Sequence, residues 1–214
     1  MITIYSLFRD VSTANVQRYF RQLAAQTYKG FQVVAIEGDS KNNTYNNLIT
    51  FGNSQPYAVK VLKHDTGKPH YGSVENPDRF LLLSEMVNYG FDNFPITGIG
   101  LHLESDLIIP PDMLSTLLEK VDATNAVSPT ILAKEVNYDI WAFRKNGQRQ
   151  SPFDHPKEHY VEMDSTGSVV MYPGRPVQEG LRFGPECIKS FTEDLNRKGI
   201  KVWWDTQCIV HHPA

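Results

Sequence analysis

One stretch constrains this chain more than any other: Leu101-His102-Leu103-Glu104-Ser105-Asp106-Leu107-Ile108-Ile109-Pro110-Pro111-Asp112. An apolar run, read as a buried strand over Ile99 to Leu103, ends in two carboxylates spaced i, i+2. A second apolar run follows, and then a double proline that suits the first turn of a helix. Carboxylates at the carboxyl end of a buried strand are costly unless a cation or hydrogen bonds compensate them. In an α/β sheet that edge is also where ligands bind. Glu104 and Asp106 are therefore the first candidates for a metal site, and a metal there points to phosphate-bearing substrates.

The flanking sequence supplies the sheet. Ile2 to Phe8 reads as a short buried strand. Ser12 or Thr13 can cap a helix whose apolar face is Val16, Tyr19, Phe20, Leu23 and Ala24. Phe31 to Ile36 is a near-continuous apolar run, as expected of a parallel strand covered on both faces. Gly38 to Gln55 reads mainly as a loop, Tyr57 to Leu62 as a third strand and Asp65 to Pro77 as a second loop. A helix from Pro77 carries Phe80, Leu81, Leu83, Met86 and Val87. After Pro110 and Pro111 a helix buries Leu114, Leu117, Leu118 and Val121. Ala126 to Leu132 is a strand, Arg144 to Tyr160 a polar, proline-punctuated mobile loop, and Gly167 to Tyr172 a strand. Pro185 to Lys198 is a helix stopped by Gly199. Lys201 to Trp204 and Ile209 to Val210 are terminal strand pieces.

The 214 residues suit one α/β domain with a mostly parallel central sheet flanked by helices. A nucleotide-binding half covers about 1–106 and an acceptor half about 107–214. With 21 basic and 24 acidic residues the net charge is −3, which argues against a nucleic-acid partner. Cys187 and Cys208 form neither a disulfide framework nor a zinc motif, and read as reduced core thiols. No apolar run approaches the roughly 18–20 residues of a membrane span. The first residues lack a signal-peptide pattern, so the expected location is cytoplasmic. His155 and His159 are spaced i, i+4 but lie in a proline-broken stretch where no helix would align them. Gly67 to Gly72 lacks the P-loop pattern.

Three motifs in order carry a likeness to a known fold. Thr27 to Ser40 joins a helix end, a hydrophobic strand and the acidic turn Glu37-Gly38-Asp39-Ser40. Glu104-Ser105-Asp106 is similar to a D-x-D motif. Gly199-Ile200-Lys201-Val202-Trp203-Trp204-Asp205 leads to Val210-His211-His212. Together they resemble the GT-A (Rossmann-like) fold of nucleotide-sugar glycosyltransferases, over essentially the whole chain. Glu104-Ser105-Asp106 with Tyr138-Asp139-Ile140-Trp141 also resembles the fungal mannan-polymerase glycosyltransferases. Two departures stand out: the D-x-D position opens with Glu, and the place of the inverting branch's E-D pair reads Pro185-Glu186-Cys187.

The resemblance implies a metal-dependent transfer of a sugar from a nucleoside diphosphate sugar to a glycan or other hydroxyl acceptor. It also implies a role for each candidate residue. A divalent cation, Mn²⁺ or Mg²⁺, would bridge the diphosphate as a Lewis acid. Asp106 is the first ligand, Glu104 reaches the metal through water or holds the ribose, and His211 is the third ligand with His212 as its rival. Asp39 would accept from a uracil imide and Glu37 from ribose hydroxyls, favouring UDP. Phe8, Arg9 and Ser105 line the same pocket, and Arg79 reaches a phosphate. Trp141, Trp203, Trp204 and Tyr138 are candidates for stacking on sugar faces, Trp141 and Trp204 being the chosen acceptor residues. Glu186 is the candidate base, Asp164 and Glu179 its backups, and Asp139 the residue to test if configuration is retained. A nucleotidyltransferase is the first rival, but Ser6 to Asp10 lacks the glycine-rich phosphate turn it needs. A non-catalytic nucleotide- or sugar-binding domain is the second.

Overall fold

Strand and helix periods interleave from the first residues, and the computed structural model, which describes residues 1–72 and 75–213, follows them. Strand β1 (Ile2–Phe8), helix α1 (Thr13–Ala24) and strand β2 (Phe31–Glu37) make a βαβ unit. The Ser12 hydroxyl caps α1 by accepting from the Asn15 amide, and Val16, Tyr19, Phe20 and Leu23 are its buried stripe. Then come α2 (Thr44–Gly52), β3 (Ala58–Lys63), α3 (Pro77–Asn93), β4 (Ile99–Leu103), α4 (Met113–Leu118) and β5 (Asn125–Ala133). Short strands β6 (Val136–Asn137), β7 (Arg144–Lys145), β8 (Gln148–Arg149) and β9 (Tyr160–Met163) precede β10 (Val169–Pro173). The turn-length helix α5 (Arg175–Gln178), α6 (Ile188–Arg197) and β11 (Lys201–His212) complete the chain.

One sheet runs through both halves in the order β3-β2-β1-β4-β10-β5-β11-β9, with β6 added beside β5. β3, β2, β1 and β4 are parallel, as are β5 and β11, while β10 and β9 run against their neighbours. Period-two alternation sends Val33 and Ala35 to one face and Val34 and Ile36 to the other, so the sheet needs cover on both sides. α1, α2 and α4 supply one layer with Phe20, Leu48 and Leu114. α3, α5 and α6 supply the other with Met86, Val177 and Phe191. The register sets Phe8 beside Glu37 and Val169 beside Leu103. The segments following β1, β2 and β4 therefore share one edge with the turn that enters β10. Among the described residues no helix is long and apolar enough to cross a membrane.

Several boundaries differ from expectation for identifiable reasons. Gly38 to Gln55 is not mainly loop: Thr44, Leu48 and Gly52 are buried at helical spacing in α2, which short polar side chains conceal. Pro110 and Pro111 precede α4 rather than open it. α6 begins at Ile188 because Cys187 adopts φ 54°, off the helical path. Leu81 on α3 is 48% exposed, so the inward stripe is Leu82, Met86, Val87 and Phe91. The polar stretch from Arg144 holds the β7–β8 hairpin, and an Arg149–Glu75 ion pair ties it to the start of α3. The terminal pieces are one strand whose pairing with β5 shifts between Asp205 and Ile209. Gly199 ends α6 as expected, at φ +80°. Both cysteines are free and buried. In the loop from Asp65 to Pro77, residues 73 and 74 lie outside the described residues.

Candidate active site

A cleft of about 450 Å³ opens at the carboxyl edge of β1, β2 and β4, walled by the start of α3 and by the segment 138–141. Arg9, Asp39, Arg79, Glu104, Asp106 and Asp139 all line it. Strand ends carry the acids there, and the first turns of α3 bring Arg79 across to face them.

Glu104 and Asp139 are neighbouring, partly buried carboxyls. Burial, then the charges of Asp139 and Asp106, push the Glu104 carboxyl up to about 8, against the pull of Arg79 and Ser168. Burial raises Asp139 to about 6, against a hydrogen bond from Ser168 and the charge of Arg79. Asp106 is half exposed, and the His212 Nε2 stands 3.4 Å from its carboxylate. The His212 ring stacks on Tyr138 at 3.9 Å. This corrects the expectation for His211, which is exposed and bonded through its backbone to Ile108. Neighbouring residues on a strand point to opposite faces, so only one of the two histidines can face Asp106. Ser105 lines the cleft with its hydroxyl donating to the Leu7 carbonyl at 2.7 Å.

On the β1–β2 side, Phe8 lines the wall and packs edge-on against Tyr19. Arg9 donates to the carbonyls of Lys68 (2.7 Å) and Pro69 (3.2 Å), tying the loop after β3 to the end of β1. Asp39, at φ 57°, accepts from the Gly67 amide through Oδ1 and from the Thr66 amide and hydroxyl through Oδ2. Burial opposes its charge, but the Thr66 hydroxyl, the Gly67 and Thr66 amides and the Arg9 charge hold its carboxyl below the usual range. Glu37 is 1% exposed and does not line the cleft. Its Oε1 accepts from the Ser40 amide, so its visible task is to hold the acidic turn rather than to reach a ribose.

Trp141 lines the cleft and stacks on Phe80 at 4.3 Å. Trp204 does not: it is 2% exposed, its Nε1 donates to Thr130, and its ring meets Phe143 edge-on. Trp203 lies elsewhere, bonded to Asn125 and covered by Lys120.

Three candidate bases fall away. Glu186 is exposed and paired with Lys189 at 2.6 Å, while the next residue, Cys187, turns into the cleft. Burial pushes the Cys187 thiol up to about 12, so it is neutral and cannot serve in Glu186's place. Asp164 is exposed and accepts from the Gly147 amide in the β7–β8 turn. Glu179 pairs with Arg175. His159 pairs with Asp205 and is not one of a helical pair.

His102 also lines the cleft. It is 5% exposed with Nδ1 unpartnered, and burial lowers it to about 4, so the ring is neutral. Strand alternation carries the signal, since it stands two residues before Glu104 on the same face of β4. Among the described residues no group of three or more His, Cys, Asp or Glu side chains is placed to hold a metal ion.

No family model matches the sequence, and no curated protein matches it. Solved structures do. TarS from S. aureus superposes with a TM-score of 0.65 at 13% identity, over 100% of this chain and 36% of TarS. TarS 1–349 in complex with UDP-GlcNAc gives 0.66 at 14% identity, over 100% of this chain and 58% of that one. The mannosyltransferase PcManGT from Pyrobaculum calidifontis, in complex with GDP-Man and Mn²⁺, gives 0.68 at 11% identity, over 98% and 56%. The chain thus has the GT-A fold. It spans between about a third and three-fifths of the length of these structures.

Proposed function

We propose that this chain is a glycosyltransferase that moves a sugar from a nucleoside diphosphate sugar to the hydroxyl of a glycan or other acceptor. The observation that carries this reading is the convergence of Glu104, Asp106, Asp139 and Arg79 in one cleft at the carboxyl edge of a GT-A sheet. The neighbours in complex with UDP-GlcNAc and with GDP-Man and Mn²⁺ support the donor class.

Asp106 and His212 are the pair that would hold a divalent cation, Mn²⁺ or Mg²⁺. Two protein ligands suit a hard cation whose remaining positions are filled by substrate phosphates and water, and the imidazole favours Mn²⁺. When bound, such a cation supplies Lewis-acid stabilisation of the leaving diphosphate. Arg79 adds fixed positive charge beside it. Glu104 keeps the secondary place, through water or toward the ribose. The Asp39 Oδ1 has one bond to Gly67 and a remaining lone pair for a uracil imide, which keeps UDP the favoured nucleotide.

Asp139 replaces Glu186 as the candidate base. A carboxyl raised to about 6 is ionised at neutral pH yet basic enough to take the acceptor hydroxyl proton as the glycosidic bond forms. Its charge also favours an oxocarbenium-like transition state. The stacked Trp141 and Phe80 offer an apolar face for the acceptor sugar.

Incubation with a panel of nucleotide sugars, with and without Mn²⁺, tests the proposal by release of the nucleotide. Metal-dependent release with one donor is expected, and Asp106→Asn abolishes it. Neither release nor binding with any donor would overturn the proposal.

A further inference from the structure

The turn that enters β10, Ser165-Thr166-Gly167-Ser168, is polar yet almost wholly buried, with Ser165 and Thr166 at 0% and Ser168 at 1% exposure. Buried hydroxyls need partners, and each of these has one. Ser165 donates to the Ala142 carbonyl (2.7 Å), Thr166 accepts from Ser128 (2.6 Å), and Ser168 donates to Asp139 Oδ2 (2.6 Å). The Thr166 amide is bound in turn by the Thr192 hydroxyl of α6 at 3.2 Å. The first two bonds fasten the turn to its surroundings, and the third reaches a carboxylate in the cleft.

Two further features serve the same carboxylate. A Cβ on Gly167 would lie 1.9 Å from Asp139 Oδ2 and 2.6 Å from the Ala142 Cβ, so only glycine leaves room for the acid where it stands. Ser168 and Asp139 both sit at positive φ, 51° and 59°, conformations that cost energy in non-glycine residues and persist only when surrounding bonds impose them. The Ser168 carbonyl also accepts from the Glu104 amide (3.2 Å), tying the turn to the end of β4.

We infer that Gly167 and Ser168 are positioning residues for the reaction: glycine vacates the space that Asp139 occupies, and the serine hydroxyl fixes the direction in which its carboxylate points. The inference rests on the reading of Asp139 as the base. Asp139 stands on an irregular segment, and a base must be held within hydrogen-bond reach of the proton it takes. Here the holding group comes from the turn before β10, not from the chain around Asp139.

The test is Ser168→Gly, which removes the hydroxyl while favouring the existing backbone conformation. Its kcat should fall about 10- to 100-fold with the donor KM unchanged. In an Asp139→Asn background the same change should cost almost nothing more, since the two act as a unit. Gly167→Ala should lower kcat at least as far. A high-resolution structure of the free Ser168→Gly protein should show the Asp139 carboxylate turned to a new rotamer. An unmoved carboxylate, or equal losses from Ser168→Gly with and without Asp139, would overturn the inference. The structural readout needs no activity, so a failed donor panel and a failed positioning role are separately visible.

Discussion

The partly buried carboxyls Glu104 and Asp139 mark stability in the opposite sense to the buried His102, whose ring lies against Phe183. Folded Glu104, at about 8, binds a proton that the unfolded chain has already released, so its contribution is lost as pH rises toward 8. His102, lowered from 6.5 to about 4, does the reverse: stability falls as pH drops from 6.5 toward 4, because the unfolded state takes up the proton first. Asp139 shifts in the same direction as Glu104, and the two neighbouring carboxyls release their protons as a pair. Above pH 6.5 the slope therefore belongs to the Glu104–Asp139 pair. In EDTA, the urea midpoint should decline between about pH 6.5 and 8, and Glu104→Gln should flatten that decline. At the metal pair the histidines separate: His212→Ala should weaken Mn²⁺-dependent nucleotide binding by about tenfold or more, whereas His211→Ala should leave it within about twofold. Calorimetric titration reads both.

At the scale of elements, the loop after β3 is held to the cleft by side chains from two other strand ends. Arg9 binds its carbonyls at 68 and 69, and Asp39 binds its amides at 66 and 67. Asp39→Ala should speed proteolytic nicking within residues 65–72 while the thermal midpoint moves little, because few apolar contacts depend on that loop. The start of α6 shows how one backbone angle reassigns a site. With Cys187 at φ 54°, the helix opens two residues after Glu186, which is left outside on Lys189. Glu186→Gln should accordingly retain turnover, measured as kcat with the donor that the wild type uses.

Across the whole molecule, two hydrophobic layers on one continuous sheet hold the cleft. Phe191 of α6 is fully buried and stacks on Phe183 at 4.4 Å. Phe191→Ala should cost about 3–5 kcal/mol in urea unfolding. Trp204 sits in the opposite layer, so Trp204→Phe should lower stability without changing the acceptor KM. The cleft needs both halves of the chain, since Arg79, Glu104 and Asp106 precede the antiparallel insertion of β10 and Asp139, Ser168 and His212 follow its partner β5.

Local rules made much of this legible. The apolar run ending in Glu104-Ser105-Asp106 located the strand end, the Ser12 cap and Gly199 stop located two helices, and the βαβ start implied a parallel sheet. These signals are periodic or capping patterns written within a few residues of each other, which is why the sequence alone carries them. It could not choose between His211 and His212, because the choice depends on which face of β11 looks toward Asp106. Nor could it separate Trp141 from Trp204, one at the cleft and one in the core, since both are aromatic residues in plausible places. Asp139 and Ser168 lie 29 residues apart and meet only when β10 returns antiparallel beside β4. The tertiary structure decided that meeting, because burial, like charge and a shared hydroxyl act through space rather than along the chain.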